Sequence, residues 1–268
     1  MALNSYTSFL FARLPNLMRL ASFAASELRD FDRRYQRHLD KTRGQQEVLT
    51  TFFDLADIYP EEISAAVCFY IEQIAAHVEL SLLPSRRSRL NGMIRRLLST
   101  DDETNGYLTG LGELVVLDEL LKMPFATVAS VEPPLQNGKT ADFEVQMNGS
   151  KHYIEVATIR FDADRIETDE DLVAFFRKRA EQKIVIKTED LPAGLSMLIF
   201  LVTYGADNIE KLLSFKAGLS VLCDELESIH AFGPFVVGSF RDGDSPWRFG
   251  AHPVIQLLKR DEDKDKPE

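Results

Sequence analysis

Asp142 and Glu155 are the residues whose type and spacing promise chemistry in this chain. Between them lie two alternating stretches, Phe143-Glu144-Val145-Gln146-Met147 and Ser150-Lys151-His152-Tyr153-Ile154, joined by Asn148-Gly149. Asn-Gly is a strong signal for a two-residue hairpin turn, because both central positions of that turn need positive φ. Such a turn pairs Met147 with Ser150, and counting outward sets Asp142 opposite Glu155 on one side of the ladder. That side also holds Glu144, Gln146, Lys151 and Tyr153. The other holds Phe143, Val145, Met147, His152, Ile154 and Val156, and is expected to be the core. Two carboxylates ~5 Å apart repel each other unless a cation or a shared proton intervenes, so a divalent metal is the economical expectation.

The neighbouring elements must hold this hairpin in place. The order predicted around it is a helix from Tyr107 through Leu121, a strand near Phe125–Val131, and a loop through Pro133, Pro134 and Asn137-Gly138. After the hairpin come a helix from about Thr168 to Thr188, a strand Ser196–Thr203, a helix from about Asn208 to Ser228 and a strand near Phe235–Phe240. The run Leu198-Ile199-Phe200-Leu201-Val202 is apolar on both sides of the strand, which predicts a sheet covered by helices on both faces. Residues 1–105 read as helices alone, with Glu61–Leu83 presenting Ile63, Ala66, Val67, Phe69, Tyr70, Ile74, Val78 and Leu82 as a packing stripe. The polar run Ser99–Gly106 marks a boundary, which gives a helical region 1–105, an α/β domain 106–258 and a charged tail 259–268 expected to be disordered.

Helix, three antiparallel-type strands, helix, strand, with Glu113 in the first helix, Asp142 entering the second strand and Glu155 on the third, resembles the PD-(D/E)XK nuclease superfamily. The fold so implied is a restriction-endonuclease-like αβββαβ core with a mixed sheet flanked by helices. The resemblance implies that Asp142, Glu155 and the Val156 carbonyl bind Mg²⁺, or Mn²⁺ in its place, with Glu113 completing the shell or holding a metal-bound water. It further implies hydrolysis of phosphodiesters. Ala141 replaces the proline that usually precedes the Asp, and Ala157 stands where the motif lysine belongs. Some members of the superfamily supply that lysine from the following helix, where Lys178, Lys183 and Lys187 are available. Leu172, Phe176, Ala180, Lys183 and Lys187 lie on one helical line, so Lys183 is expected to reach the site and stabilise hydroxide or phosphate charge.

Composition limits the alternatives. The net charge of −11 opposes strong, autonomous binding to nucleic acid. Basic residues do cluster in the N-terminal region, at Arg29, Arg33, Arg34, Arg37, Lys41 and Arg43 and at Arg86, Arg87, Arg89, Arg95 and Arg96, where they could contact phosphates or simply pair with neighbouring acids. The two cysteines, Cys68 and Cys223, match neither a disulfide framework nor a zinc spacing and point to a reducing, cytoplasmic compartment. The histidines share no ligand-like spacing, and no phosphate-binding glycine loop is present. The first 26 residues contain no acid and superficially resemble a transit peptide, but the reading preferred is an amphipathic first helix packed on its own domain or on a partner. No membrane-spanning stretch is expected, because Arg13 and Arg19 interrupt the most apolar N-terminal run. The functional expectation is a metal-dependent nuclease acting on DNA, directed by a protein partner or homo-oligomer, in a microbial defence or DNA-processing assembly. The alternative is a catalytically silent nuclease-like module that binds a protein or nucleic acid.

Overall fold

The structure is a computed structural model and describes residues 5–42, 61–87, 89–98, 106–159, 166–189, 196–204, 212–240 and 248–253. The polar boundary run up to Asn105 and the charged tail lie outside those residues. The chain divides into two compact units, 1–124 with 241–249, and 125–240 with 250–268.

The first unit is helical: α1 (Tyr6–Arg13), α2 (Pro15–Leu20), α3 (Ala25–Thr42), α4 (Glu61–Ser81), α5 (Pro84–Arg87), α6 (Leu90–Leu98) and α7 (Gly106–Lys122). The all-helical expectation for the N-terminal region therefore describes what folds there. The helix that the sequence assigned to the α/β domain, α7, packs on α6 and α4 and belongs to this unit. On α4 the buried stripe is Ser64, Val67, Cys68, Ile71, Ile74, Ala75 and Val78, so the expected stripe is correct at Val67, Ile74 and Val78 and wrong at Phe69, which is 65% exposed. By length and composition α4 is apolar enough to cross a membrane, contrary to the expectation from sequence, because its central window contains Glu72 and Glu79 as its only charges. Here the stripe is buried within the unit, against α2 and α7 among others, as in the core helix of a bundle.

The second unit is built on the sheet, which runs in the order β1 (Ala126–Val131), β2 (Phe143–Met147), β3 (Ser150–Ile159), β4 (Met197–Tyr204), β5 (Ala231–Phe240), β6 (Arg248–Pro253). The first three strands are antiparallel, and β4 and β5 join in parallel. With α8 (Asp169–Thr188) between β3 and β4 and α9 (Lys216–Ser228) between β4 and β5, the αβββαβ order expected from the sequence is present in a mixed sheet flanked by helices.

Local chemistry explains the framing of the hairpin and of α8. Asn148 and Gly149 take φ of 50° and 80°, the left-handed values that the two-residue turn demands, and the register from Met147–Ser150 to Phe143–Ile154 is the one counted from the sequence. Thr168 caps α8 in a full capping box with Asp171. Seven consecutive residues of β4 are buried, as the apolar run predicts. Two points differ from expectation: β5 starts at Ala231 rather than near Phe235, and β6 was not anticipated. The helix start expected near Asn208 lies outside the described residues; helical backbone is described at 212–214 and then in α9 from Lys216. The β5 start was hidden by Gly233-Pro234, a pair that reads as a turn but is absorbed where the β4–β5 register shifts.

Candidate active site

The site forms where the β2–β3 ladder ends. Regular pairing stops at Phe143–Ile154, and the chain bends at Asp142. The Asp142 N–H donates to the Ile154 carbonyl at 3.0 Å, and its carboxylate accepts from the Val156 N–H at 2.6 Å. The Asp142 side chain thus lies against the peptide that follows Glu155. In a continued ladder the Ala141 N–H would donate to the Val156 carbonyl. It goes instead to the Pro133 carbonyl at 3.1 Å, so the break leaves the Val156 carbonyl without that partner.

Glu155 is 1% exposed. This overturns the expectation of a polar hairpin face: that face is exposed only near the turn, at Gln146 and Lys151. The physical reason is the position of β4, which pairs with β3 from Tyr153 onward, so Glu155 lies beside Ile199 and Ala157 beside Leu201. These neighbours join Leu172, Phe176 and Ala180 of α8 in one apolar cluster. The opposite face is buried too, at Phe143, Val145, Ile154 and Val156. Its His152 is half-buried, with Nδ1 2.8 Å from the Ser196 hydroxyl, consistent with a structural role.

A buried carboxylate needs partners, and α8 supplies them. Lys183 Nζ is 2.9 Å from Glu155 Oε1 and Lys187 Nζ is 3.0 Å from Oε2. The helical line read from the sequence is therefore the line observed: Leu172, Phe176 and Ala180 are fully buried, and one turn further on the two lysines meet Glu155. Lys178 is exposed. Lys187 also donates to the Thr140 carbonyl at 2.7 Å. Although its ammonium is close to Oε2, that oxygen receives no aligned hydrogen bond. Lys187 uses only one of its three N–H groups on Thr140, so at 3.0 Å Oε2 is neutralised by the ammonium charge without receiving an aligned hydrogen bond.

The loop between β1 and β2 secures the C-terminal end of α8. Asn137 donates to the carbonyls of Lys187 and Glu189 at 3.1 and 2.7 Å, and Lys139 Nζ donates to the Ile186 carbonyl at 2.5 Å. An ammonium and an amide on the last carbonyls answer both the orphan acceptors and the negative end of the helix dipole. Apart from the turn signal Asn137-Gly138, no local pattern announces this clamp, and Lys187 meets Glu155 alongside the expected Lys183.

Glu113 is on α7. It belongs to the first unit, where it is 4% exposed and pairs with Arg96 at 2.5 Å. Other members of the basic clusters are similarly engaged: Arg34 with Asp30, Arg95 with Glu27, and Arg87 on the carbonyls of Leu82 and Glu79 that end α4. Among the described residues no group of three or more His, Cys, Asp or Glu side chains is arranged to hold a metal. A divalent ion would have to use two carboxylates and a backbone oxygen. The donor chemistry fits such an ion on those terms, since Asp142 and Glu155 are hard oxygen donors, Glu155 Oε2 is buried without an aligned donor, and the Val156 carbonyl has lost its ladder partner.

No protein-family model matches the chain. No curated protein matches it. Among solved structures it is similar to the structure of Pyrococcus furiosus SfsA in complex with Ca²⁺, at 10% identity and a TM-score of 0.24, over 54% of this chain and 62% of that one. The chain thus matches less than two thirds of the length of that protein, and a likeness at this score decides nothing about either fold or function.

Proposed function

We propose that the second unit is a metal-dependent phosphodiester hydrolase of the PD-(D/E)XK type whose motif lysine has moved from strand to helix. The observation behind this reading is the 2.9 Å contact between Lys183 and Glu155, which brings an ammonium from α8 to the motif glutamate while Ala157 is packed in the apolar cluster. Asp142, Glu155 and the Val156 carbonyl would hold Mg²⁺ or Mn²⁺. Such an ion supplies Lewis acidity and lowers the pKa of a bound water. The chain's own residues do the rest. Asp142 is oriented by the Val156 amide, and the apolar cluster around Glu155 excludes bulk water. Lys183, 35% exposed, offers its ammonium to a phosphoryl oxygen, where charge develops in the transition state. DNA is the proposed substrate, and the charge of −11 favours delivery by a protein partner or homo-oligomer in a cytoplasmic defence or DNA-processing assembly.

The test is cleavage of labelled linear, circular and single-stranded DNA, and of RNA, with Mn²⁺, Mg²⁺ or EDTA, by wild type, Asp142→Asn and Glu155→Gln. Cleavage that needs metal and both carboxylates is the expected result. The competing reading, a silent binding module, is favoured by the two ammonium groups that already neutralise Glu155. It would be adopted if no substrate is cut and neither metal raises the melting temperature of the folded wild type.

A further inference from the structure

We infer that the two lysines on Glu155 divide the work: Lys187 is a permanent positioning residue, and Lys183 is an exchangeable ammonium that leaves Glu155 for a tetrahedral phosphoryl anion. The inference deepens the proposed function and rests on it for the identity of the anion. Exposure and position on α8 separate the lysines. Lys187 is 18% exposed and Lys183 35%. Lys187 joins two elements at once, through the Thr140 carbonyl ahead of β2 and the carboxylate on β3, and its own carbonyl is held by Asn137. Lys183 lies one turn earlier on α8, upstream of the carbonyls that the Asn137 and Lys139 clamp holds.

The chemistry follows from this arrangement. If both ammonium groups stayed on Glu155, neither lysine would be available to a phosphate. If both were free to leave, a buried carboxylate would lose its compensation, which is strongly destabilising. One fixed and one mobile partner satisfies both requirements: Lys187 keeps Glu155 compensated while Lys183 moves to an incoming phosphoryl oxygen. Exchange is feasible for Lys183 because a third of its side chain remains in water and the four-carbon stem can swing without moving the helix.

The experiment uses the full chain as wild type, Lys183→Met and Lys187→Met, each alone and combined with Glu155→Gln, in EDTA with and without inorganic phosphate at tens of millimolar. Lys187→Met is expected to lower the melting temperature by about 5–10 °C, a loss largely cancelled when Glu155 is also Gln. Lys183→Met is expected to lower it by less than about 2 °C and to abolish the stabilisation by phosphate that wild type and Lys187→Met retain. Lys183→Arg should restore the phosphate response. Equal coupling of both lysines to Glu155, or a phosphate response absent from wild type or indifferent to Lys183, overturns the division of labour. Because none of these readouts needs turnover, they decide it even if wild type cleaves nothing, a result that would count against the hydrolase alone. If wild type does cleave, Lys183→Met should lower kcat without a matching change in melting temperature.

Discussion

Ala157 shows why the motif lysine cannot simply be put back. The position is 6% exposed and packed with Leu172, Phe176, Ala180, Ile199 and Leu201. A lysine there would force a long side chain and a charge into a space that a single methyl group fills, beside a carboxylate that already has two ammonium partners. Overpacking costs about 1–3 kcal/mol and an imperfectly paired buried charge adds to that. Ala157→Lys is therefore expected to lower stability by at least about 2 kcal/mol in urea denaturation and to lower any nuclease activity rather than raise it. A variant as stable as wild type would show that the cluster around Ala157 is looser than the packing implies. The same residue shows how much of the site could be read from the sequence. The Asn-Gly turn fixes the register as far as Phe143–Ile154, one pair short of Asp142 and Glu155, and the helical line finds Lys183. The burial of Glu155 could not be read, because it depends on where β4 begins to pair with β3, a non-local fact that alternation along one strand does not encode.

Among the elements, α8 decides whether the lysines arrive at all. Its C-terminal end is clamped by Asn137 and Lys139, and its N-terminal end is fixed by the Thr168 capping box and by contact with α9. That contact is close: a Cβ on Gly218 of α9 would lie 2.6 Å from Asp169 Oδ1 and 3.0 Å from the Asp169 Cα. Gly218→Ala gains about 1 kcal/mol of helix propensity but must push the two helices apart at a cost of about 1–3 kcal/mol. The expected net result is a destabilised protein whose Lys183–Glu155 coupling, measured by a double-mutant cycle, is weakened although the substitution is on another helix. A stabilised Gly218→Ala would mean that α8 can shift freely against α9. The legibility of elements followed the same rule as that of residues. Helix α8 was readable because caps and periodicity are local. The start of β5 and the whole of β6 were not, because tertiary pairing overrode the turn signal of Gly233-Pro234 and supplied strand partners that no local pattern announces.

For the whole molecule, the buried ionisable groups set a pH limit on the alkaline side. Burial pushes the Cys68 thiol from its ordinary 9.0 up to about 11, against the lowering influence of Arg13. Burial also raises Cys223 and lifts the Tyr6 hydroxyl well above its ordinary value of 10.0, with Cys68 and Tyr35 adding to the Tyr6 shift. Lys122 is raised as well: burial opposes its charge, but hydrogen bonds to Asp118 and Glu119 outweigh that. For each of these groups the folded state holds the proton more tightly than the unfolded chain. The associated stability is thus complete below the ordinary pKa and is lost as pH rises through the folded value. The Cys68 shift of about two units corresponds to about 2 kcal/mol lost by pH 11. The melting temperature is therefore expected to hold level from pH 7 to about 8.5 and to fall steeply above pH 9. Cys68→Ala should shift that fall to higher pH, after allowance for the cavity it leaves. A melting temperature flat to pH 11 would show that these groups set no alkaline limit, and a fall identical in Cys68→Ala would assign the limit to groups other than Cys68. Because the fall lies above pH 9, metal and phosphate titrations between pH 7 and 8.5 report on the candidate site without interference from the ionisation of these thiols, the Tyr6 hydroxyl or Lys122.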